Sequence, residues 1–370
     1  MQRYRDMKLR KRSNLKMIRN LVFFILLIAF TFWYIFKDQD LNELLNILRN
    51  ADLKYVFFAI MCMFGAHFTE SYNIKCLLTS LGEKKVSILN TFKYTAIGTF
   101  FSAITPAATG GQPVEVYYMS KDKIKVANGT LALLVEVCGY QASIVLYAII
   151  CGIIYNNLLS GGVFWFYLIG LIFNSFVLVV MICGIFTNKV SEKFLNFFIK
   201  ILSLAKVKNL ELKKKKMYEG LKQYRESAKY IKQHKSEFVK SMFRVLFQIF
   251  LFHSIPFFIY RAFGLNNLSF LQLFGMQAIL FNTVASIPLP GSIGVSETLF
   301  LKIYKQAFSE KMISGAMLLS RFSSFYFFMI LFSIIVIVNA VKTKNIKSQI
   351  DKDVKLIEKE RKDYRKLSFS

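Results

Sequence analysis

Two stretches place helix-breaking residues and a carboxylate together at the same spacing. Pro106 is followed nine residues later by Glu115, with Gly110, Gly111, Gln112 and Pro113 between them. Pro288 is followed nine residues later by Glu297, with Pro290, Gly291 and Gly294 between them. Both stretches adjoin long apolar runs. Breaking a helix in lipid frees backbone N–H and C=O groups, which is tolerated only where protein or a water-filled cavity covers them. A helix that restarts after the break turns its positively polarised N-terminus towards that space, and a lipid phosphate is a natural occupant. Glu297 falls early in such a restarted helix, where it can cap the helix, contact a head group, or do both.

Two more charges stand inside apolar blocks, Glu136 and Arg321. A charge at the bilayer centre costs about 2.5–3.5 kcal/mol even on the lenient insertion scale, so such residues face a cavity or a partner. A Glu136–Arg321 pair would satisfy both, either as a clamp between helices or as part of a substrate path. The candidates for that path are Glu136, Glu297, Arg321, Glu115 and Gln112. The helix-break motif comprises Pro106, Gly110, Gly111, Pro113, Pro288, Pro290, Gly291 and Gly294. Glu70 and Lys75 lie near a block end and are expected to snorkel.

The histidines, His67, His234 and His253, are scattered, and Cys62, Cys76, Cys138, Cys151 and Cys183 form no C-x-x-C pair. Neither a disulfide framework nor a metal site is expected, and no cofactor. The sequence carries no glycine-rich phosphate loop and no nucleophile constellation, which ranks catalysis below transport.

The elements that must position these residues are apolar helices. The chain of 370 residues is 55% hydrophobic, holds 39 Phe and carries a net charge of +27. Its apolar residues fall in uncharged blocks and its basic residues between them. This is the pattern of a polytopic membrane protein with cytoplasmic loops facing anionic lipid, and not that of a nucleic-acid-binding surface. Residues 1–19 carry eight Lys and Arg against one acid, so this end is expected in the cytoplasm. The block 20–36 lacks a small-residue cleavage site and reads as a retained helix, not a signal peptide. Blocks 20–36, 55–78, 127–155, 162–187, 241–262 and 312–341 give six crossings. Segments 86–105 and 270–306 contribute none or two each.

The stretch 188–240 holds fifteen Lys and Arg against five acids and reads as amphipathic cytoplasmic helices at an anionic lipid surface. The tail 342–370, with ten basic and five acidic residues, is also expected inside. The expected fold is therefore all-α: six to eight transmembrane helices with two broken or re-entrant elements in inverted arrangement, such as transporters place around a midplane site. The membrane domain is expected over 20–341.

"TPAATGGQPVEVYYMSKD" at 105–122 and "PLPGSIGVSE" at 288–297 resemble the two signatures of the lysylphosphatidylglycerol synthetase membrane-domain, or flippase-like, family. The resemblance spans roughly 20–341. Glu136 and Arg321 sit where such proteins tend to place an acid in the helix after the first break and an arginine in the last helix. Many members have an acid after the double glycine, a basic residue shortly beyond it, and an arginine after the acid of the next helix. Those places here hold Gln112, Glu115 and Val137. The resemblance implies a flippase that moves aminoacylated phosphatidylglycerol to the outer leaflet of a bacterial plasma membrane, lowering surface charge and conferring resistance to cationic peptides. It also brings the name of an enzyme, phosphatidylglycerol lysyltransferase, whose catalysis resides in a separate soluble domain. With only about 30 residues after the last block, that domain is not expected here. Expected partners are phospholipid and the anionic membrane surface, with no direct nucleic-acid contact. A scaffold for an envelope enzyme is the remaining alternative, and homo-oligomerisation stays open.

Overall fold

The computed structural model describes residues 46–83, 86–105, 108–159, 161–204, 210–233, 235–285, 287 and 292–340. The basic head 1–19, the block 20–36, the tail 342–370, His234, and the break residues Pro106, Pro288, Pro290 and Gly291 lie outside them. The described residues form helices and turns without a strand, and the protein is an all-α, multi-pass membrane protein.

In chain order the helices are α1 (Leu53–Ser80), α2 (Ile88–Ala103), α3 (Gly111–Lys121), α4 (Val126–Ile154), α5 (Gly162–Phe186), α6 (Asn188–Leu204), α7 (Leu210–Gln233), α8 (Lys235–His253), α9 (Ile255–Ala262), α10 (Phe270–Ala285), α11 (Val295–Ile303) and α12 (Ile313–Ala340). Four stretches are both long and apolar enough to span a bilayer: α4, α5, α8 continued by α9, and α12. At about 1.5 Å per residue, the 28-residue α1 is long enough as well. Its polar residues, Glu70 and Asn73 among them, make it less apolar than those four. The expected block 241–262 begins earlier, at Lys235, and bends after His253, because Pro256 cannot continue the α8 hydrogen-bond ladder.

The helix bounds contain an internal repeat. Lys235 starts α8 182 residues after Leu53 starts α1, and Ala262 ends α9 182 residues after Ser80 ends α1. The same offset separates Ile88 from Phe270, Ala103 from Ala285, Lys121 from Ile303 and Glu115 from Glu297. One unit is α1–α4 and the other α8–α12, with α5–α7 inserted between them. The equivalent helices α1 and α8–α9 pack on each other and run antiparallel: the Asp52 N–H donates to the Ala262 carbonyl at one end, and Asn73 bonds Ser241 towards the other. The two units are thus related by inversion, the arrangement expected around a midplane site.

Each unit holds one broken element, and each is an antiparallel hairpin of short helices. Both α2 and α10 have 16 residues, about 24 Å, too short for a hydrocarbon core of about 30 Å. In the first hairpin Gly111 packs on Ser102, Glu115 on Gly98, and Asp122 bonds Lys93 and Tyr94. In the second the Tyr304 hydroxyl donates to Gln277 Oε1 at 3.0 Å. Both segments 86–125 and 270–306 therefore turn back on themselves.

The insert 188–240 does contain amphipathic helices. Apolar residues recur at helical spacing in α6, and Phe197 is exposed on its surface. One face of α7 is taken up by protein, however. Tyr224 donates to the Gly184 carbonyl at 3.0 Å, Ser227 donates to Asn128 Oδ1 at 2.7 Å, and Ala228 is buried in the same cluster as Leu131 and Val135 of α4.

Candidate functional site

The second hairpin carries a buried charged constellation. Around the break, Ser292 and Gly294 adopt left-handed backbone conformations, with φ of 52° and 88°. Glycine takes this conformation without steric cost, and at Gly294 it lets α11 begin abruptly. Glu297 then falls in the first turn. Its Oε2 accepts the Gly294 N–H and the Ser296 hydroxyl, each at 2.7 Å. Its Oε1 accepts Arg321 Nε at 2.8 Å, with the Tyr326 hydroxyl at 3.5 Å. Glu297 is 2% exposed and the Arg321 side chain 17%. One carboxylate oxygen thus caps its own helix while the other holds the arginine.

Arg321 sits where α12 changes pitch. Residues Phe322–Tyr326 form a π-helical turn, a widening that recurs at functional sites. The guanidinium lies 4.6 Å above the Phe325 ring and 5.8 Å from that of Tyr326. Aromatic faces stabilise a cation with little water around it. The helix leading into the break is anchored too. Asn282, fully buried near the end of α10, donates to the Tyr167 carbonyl at 3.0 Å, and Asn174 of α5 donates to both Asn282 oxygens at 3.0 Å. Gln141 of α4 donates to Asn174 Oδ1 at 3.2 Å.

The first hairpin is built similarly but charged differently. The Gly110 N–H donates to Thr105 Oγ1 at 3.0 Å. Gly111 has no room for a Cβ, because Ser102 and the Gly98 carbonyl fill that space. Pro113 lies in the first turn of α3, where its missing N–H breaks no helical bond. Gln112 is exposed and stands apart from the buried acids. Glu115 is 5% exposed and rests on Gly98, within electrostatic reach of Glu70 and Glu136.

Glu136 does not pair with Arg321. Asn73 Nδ2 donates to Glu136 Oε2 and, at 2.9 Å, to Ser241 Oγ. Arg244 Nη1 donates to Asn73 Oδ1 at 3.2 Å and to Glu237 Oε1 at 2.7 Å. The expected pair is therefore replaced: the second hairpin brings Glu297, not Glu136, to Arg321. The residues that surround Glu136 instead (Asn73, Ser241, Arg244 and Glu237) were not singled out from sequence. Their one signal is an uncompensated polar side chain at the interior of α1 and a charge inside α8. Glu70 lies 3.5 Å from His67 Nδ1 and is mostly buried, so it does not extend to the surface as a snorkelling residue would.

Among the described residues no group of three or more His, Cys, Asp or Glu is placed to hold a metal ion. Residues 20–331 match the family model described as the lysylphosphatidylglycerol synthase TM region. No curated protein matches the chain significantly.

Proposed function

Because the chain belongs to the lysylphosphatidylglycerol synthase TM-region family, we propose that it is a flippase-like transporter. Its substrate class would be aminoacylated phosphatidylglycerol, or a related anionic lipid, moved between leaflets of a bacterial plasma membrane with both chain termini in the cytoplasm. The observation that carries this reading is the Glu297–Arg321 pair at the start of a helix that resumes after a break. Arginine presents a planar fork that matches a phosphate in two hydrogen bonds. A phosphodiester approaching Arg321 competes with Glu297 for the guanidinium, and the positively polarised N-terminus of α11 favours the same anion. Once released, Glu297 is an acceptor for an ammonium group. A lysyl head group carries both signs, so a site that separates an acid from a base on binding suits it.

The exposed apolar face of α6, with the basic surface around it, supports attachment of the 188–240 insert to anionic lipid. Altering head-group export would change envelope charge and hence susceptibility to cationic peptides.

The test is a leaflet assay in cells expressing the protein at matched levels. Glu297→Gln and Arg321→Ala are each expected to lower outer-leaflet appearance of the substrate lipid several-fold. Unchanged leaflet composition of every major lipid on deleting the gene would refute the reading. Formation of lysyl-lipid from lysyl-tRNA and phosphatidylglycerol by the purified protein would replace it with an enzymatic one.

A further inference from the structure

The two breaks meet. Ala103 ends α2 and Ile104 follows it, just before the first break. Both belong to one buried apolar cluster with Ile293, which comes just after the second break, and with Met329 of α12. Ile104 is 3% exposed and Ile293 1%, so the contact between the tips is dry. Phe100, Phe101 and Phe325 pack against the same cluster.

The repeat does not require this contact, because its mirror image is not built. Ala285 stands where Ala103 stands in the other unit, and it is exposed. Gly111 stands where Ile293 stands, and it has no side chain to reach across. The apolar residues are placed at one pairing of the tips only.

Phe325 joins the cluster to the charged site. Arg321, Phe325 and Met329 are four residues apart in succession, so they line one side of α12. Met329 lies in the cluster, and Phe325 packs against it. The Arg321 guanidinium lies 4.6 Å over the Phe325 ring. One ring therefore touches both the cation and the apolar contact. A second link runs through Glu297, whose Oε2 accepts the N–H of Gly294, the neighbour of Ile293.

A charged head group cannot pass between apolar side chains in contact without shedding its water. Such a constriction is closed to it until the walls part. We propose that Ile104, Ile293 and Met329 seal the head-group path, and that Phe325 is the positioning residue that ties the seal to Arg321. The proposal rests on the transport reading and names its gate. With Arg321 on Glu297, the guanidinium holds the ring by its face, and the ring holds the cluster. A phosphodiester that draws the guanidinium away takes the cation off that face. The same step loosens Glu297, and with it the backbone beside Ile293. Ring and tip are then released together, and the seal parts.

The experiment is thiol bridging in the full-length protein with Cys62, Cys76, Cys138, Cys151 and Cys183 replaced by alanine, and with Ile104→Cys and Ile293→Cys introduced. Ala103→Cys with Ile293→Cys gives the same reading if the first pair does not fold. Copper-phenanthroline should bridge the tips in digalactosyldiacylglycerol vesicles, which carry no phosphate. Adding phosphatidylglycerol to those vesicles should slow bridging several-fold. Phe325→Leu keeps an apolar side chain on the cluster but removes the ring, so it should bridge equally fast with and without phosphatidylglycerol. Phe325→Tyr keeps the ring and should restore the dependence. Failure of both pairs to bridge, bridging indifferent to phosphatidylglycerol, or a dependence that survives Phe325→Leu overturns the proposal. Lipid movement by the bridged protein would also overturn it and leave the transport reading standing. Phosphatidylglycerol-dependent bridging in a protein that moves no lipid would sink the transport reading and keep the lipid-responsive contact.

Discussion

Arg321 Nε lies 2.8 Å from Glu297 Oε1 across 24 residues of chain, joining the short helix after the second break to the pitch change in the last helix. Because the other carboxylate oxygen is committed to Gly294 and Ser296, Glu297 cannot turn away from Arg321 without unfastening the start of α11. Any ligand that takes the arginine therefore acts on the helix as well as on the acid.

Breaking this pair from one side leaves a buried charge unpaired, which costs about 3–5 kcal/mol. Arg321→Ala and Glu297→Gln are each expected to lower the thermal unfolding midpoint of the detergent-solubilised protein. The double variant Glu297→Gln/Arg321→Ala should lose less than the sum of the two. Strictly additive losses would mean that the residues do not act on each other.

Asn73 is the junction of a second network and, among the described residues, the hydrogen-bond partner of Glu136. Asn73→Leu removes a donor from Glu136 and Ser241 and an acceptor from Arg244. Each orphaned buried group costs about 1–3 kcal/mol. The expected loss therefore exceeds that of Ser241→Ala, which removes one neutral bond at a net of about 0.5–1.5 kcal/mol. Equal losses in denaturation melts would show that Glu136 is satisfied by other means.

The all-α membrane class, the helical blocks and the two broken elements were legible because hydrophobic runs and Pro/Gly interruptions are local features. The nine-residue Pro-to-Glu spacing located the hairpins and placed Glu115 and Glu297 at matching positions. The full repeat was not read from sequence, although identities such as Leu89/Leu271, Phe92/Phe274, Ala96/Ala278, Ile97/Ile279 and Ala103/Ala285 keep the same offset. These are common apolar residues that any two membrane helices share, and the helix bounds, such as Leu53 and Lys235, are what make the repeat plain. Nor was the partner of Arg321 legible. Sequence paired it with Glu136, whereas the fold of the second hairpin gives it Glu297. The Asn73–Arg244 contact spans 171 residues and joins two residue types that carry no motif.

The tightness of the first hairpin can be tested by sign. Replacing a helical glycine by alanine ordinarily stabilises by about 0.5–1 kcal/mol. At Gly111 a new Cβ would meet the Gly98 carbonyl oxygen at 2.8 Å. Overpacking of that kind costs about 1–3 kcal/mol, so Gly111→Ala should destabilise. Gly162, at the start of α5, has nothing within 4 Å of the same position, and Gly162→Ala should be neutral or stabilising. A stabilising Gly111→Ala would mean that α2 and α3 do not pack this closely.

The mouth of that hairpin should respond to acid. Asp122, at the end of α3, accepts Lys93 Nζ at 2.6 Å and the Tyr94 hydroxyl at 2.5 Å. Partial burial disfavours its charge, but these bonds and the charges of Lys93 and Lys121 outweigh that and hold the carboxyl below the usual aspartate range. A depressed value in the folded state means that the ionised form contributes stability above the usual range, and that the contribution is lost as pH falls through the depressed value. Hydrogen exchange of the α3 C-terminal turn, corrected for the intrinsic pH dependence of exchange, should be slow at neutral pH and quicken in acid. Asp122→Asn should exchange quickly at both. If the variant matched the wild-type pH profile, the Asp122 bridge would not be what closes the hairpin.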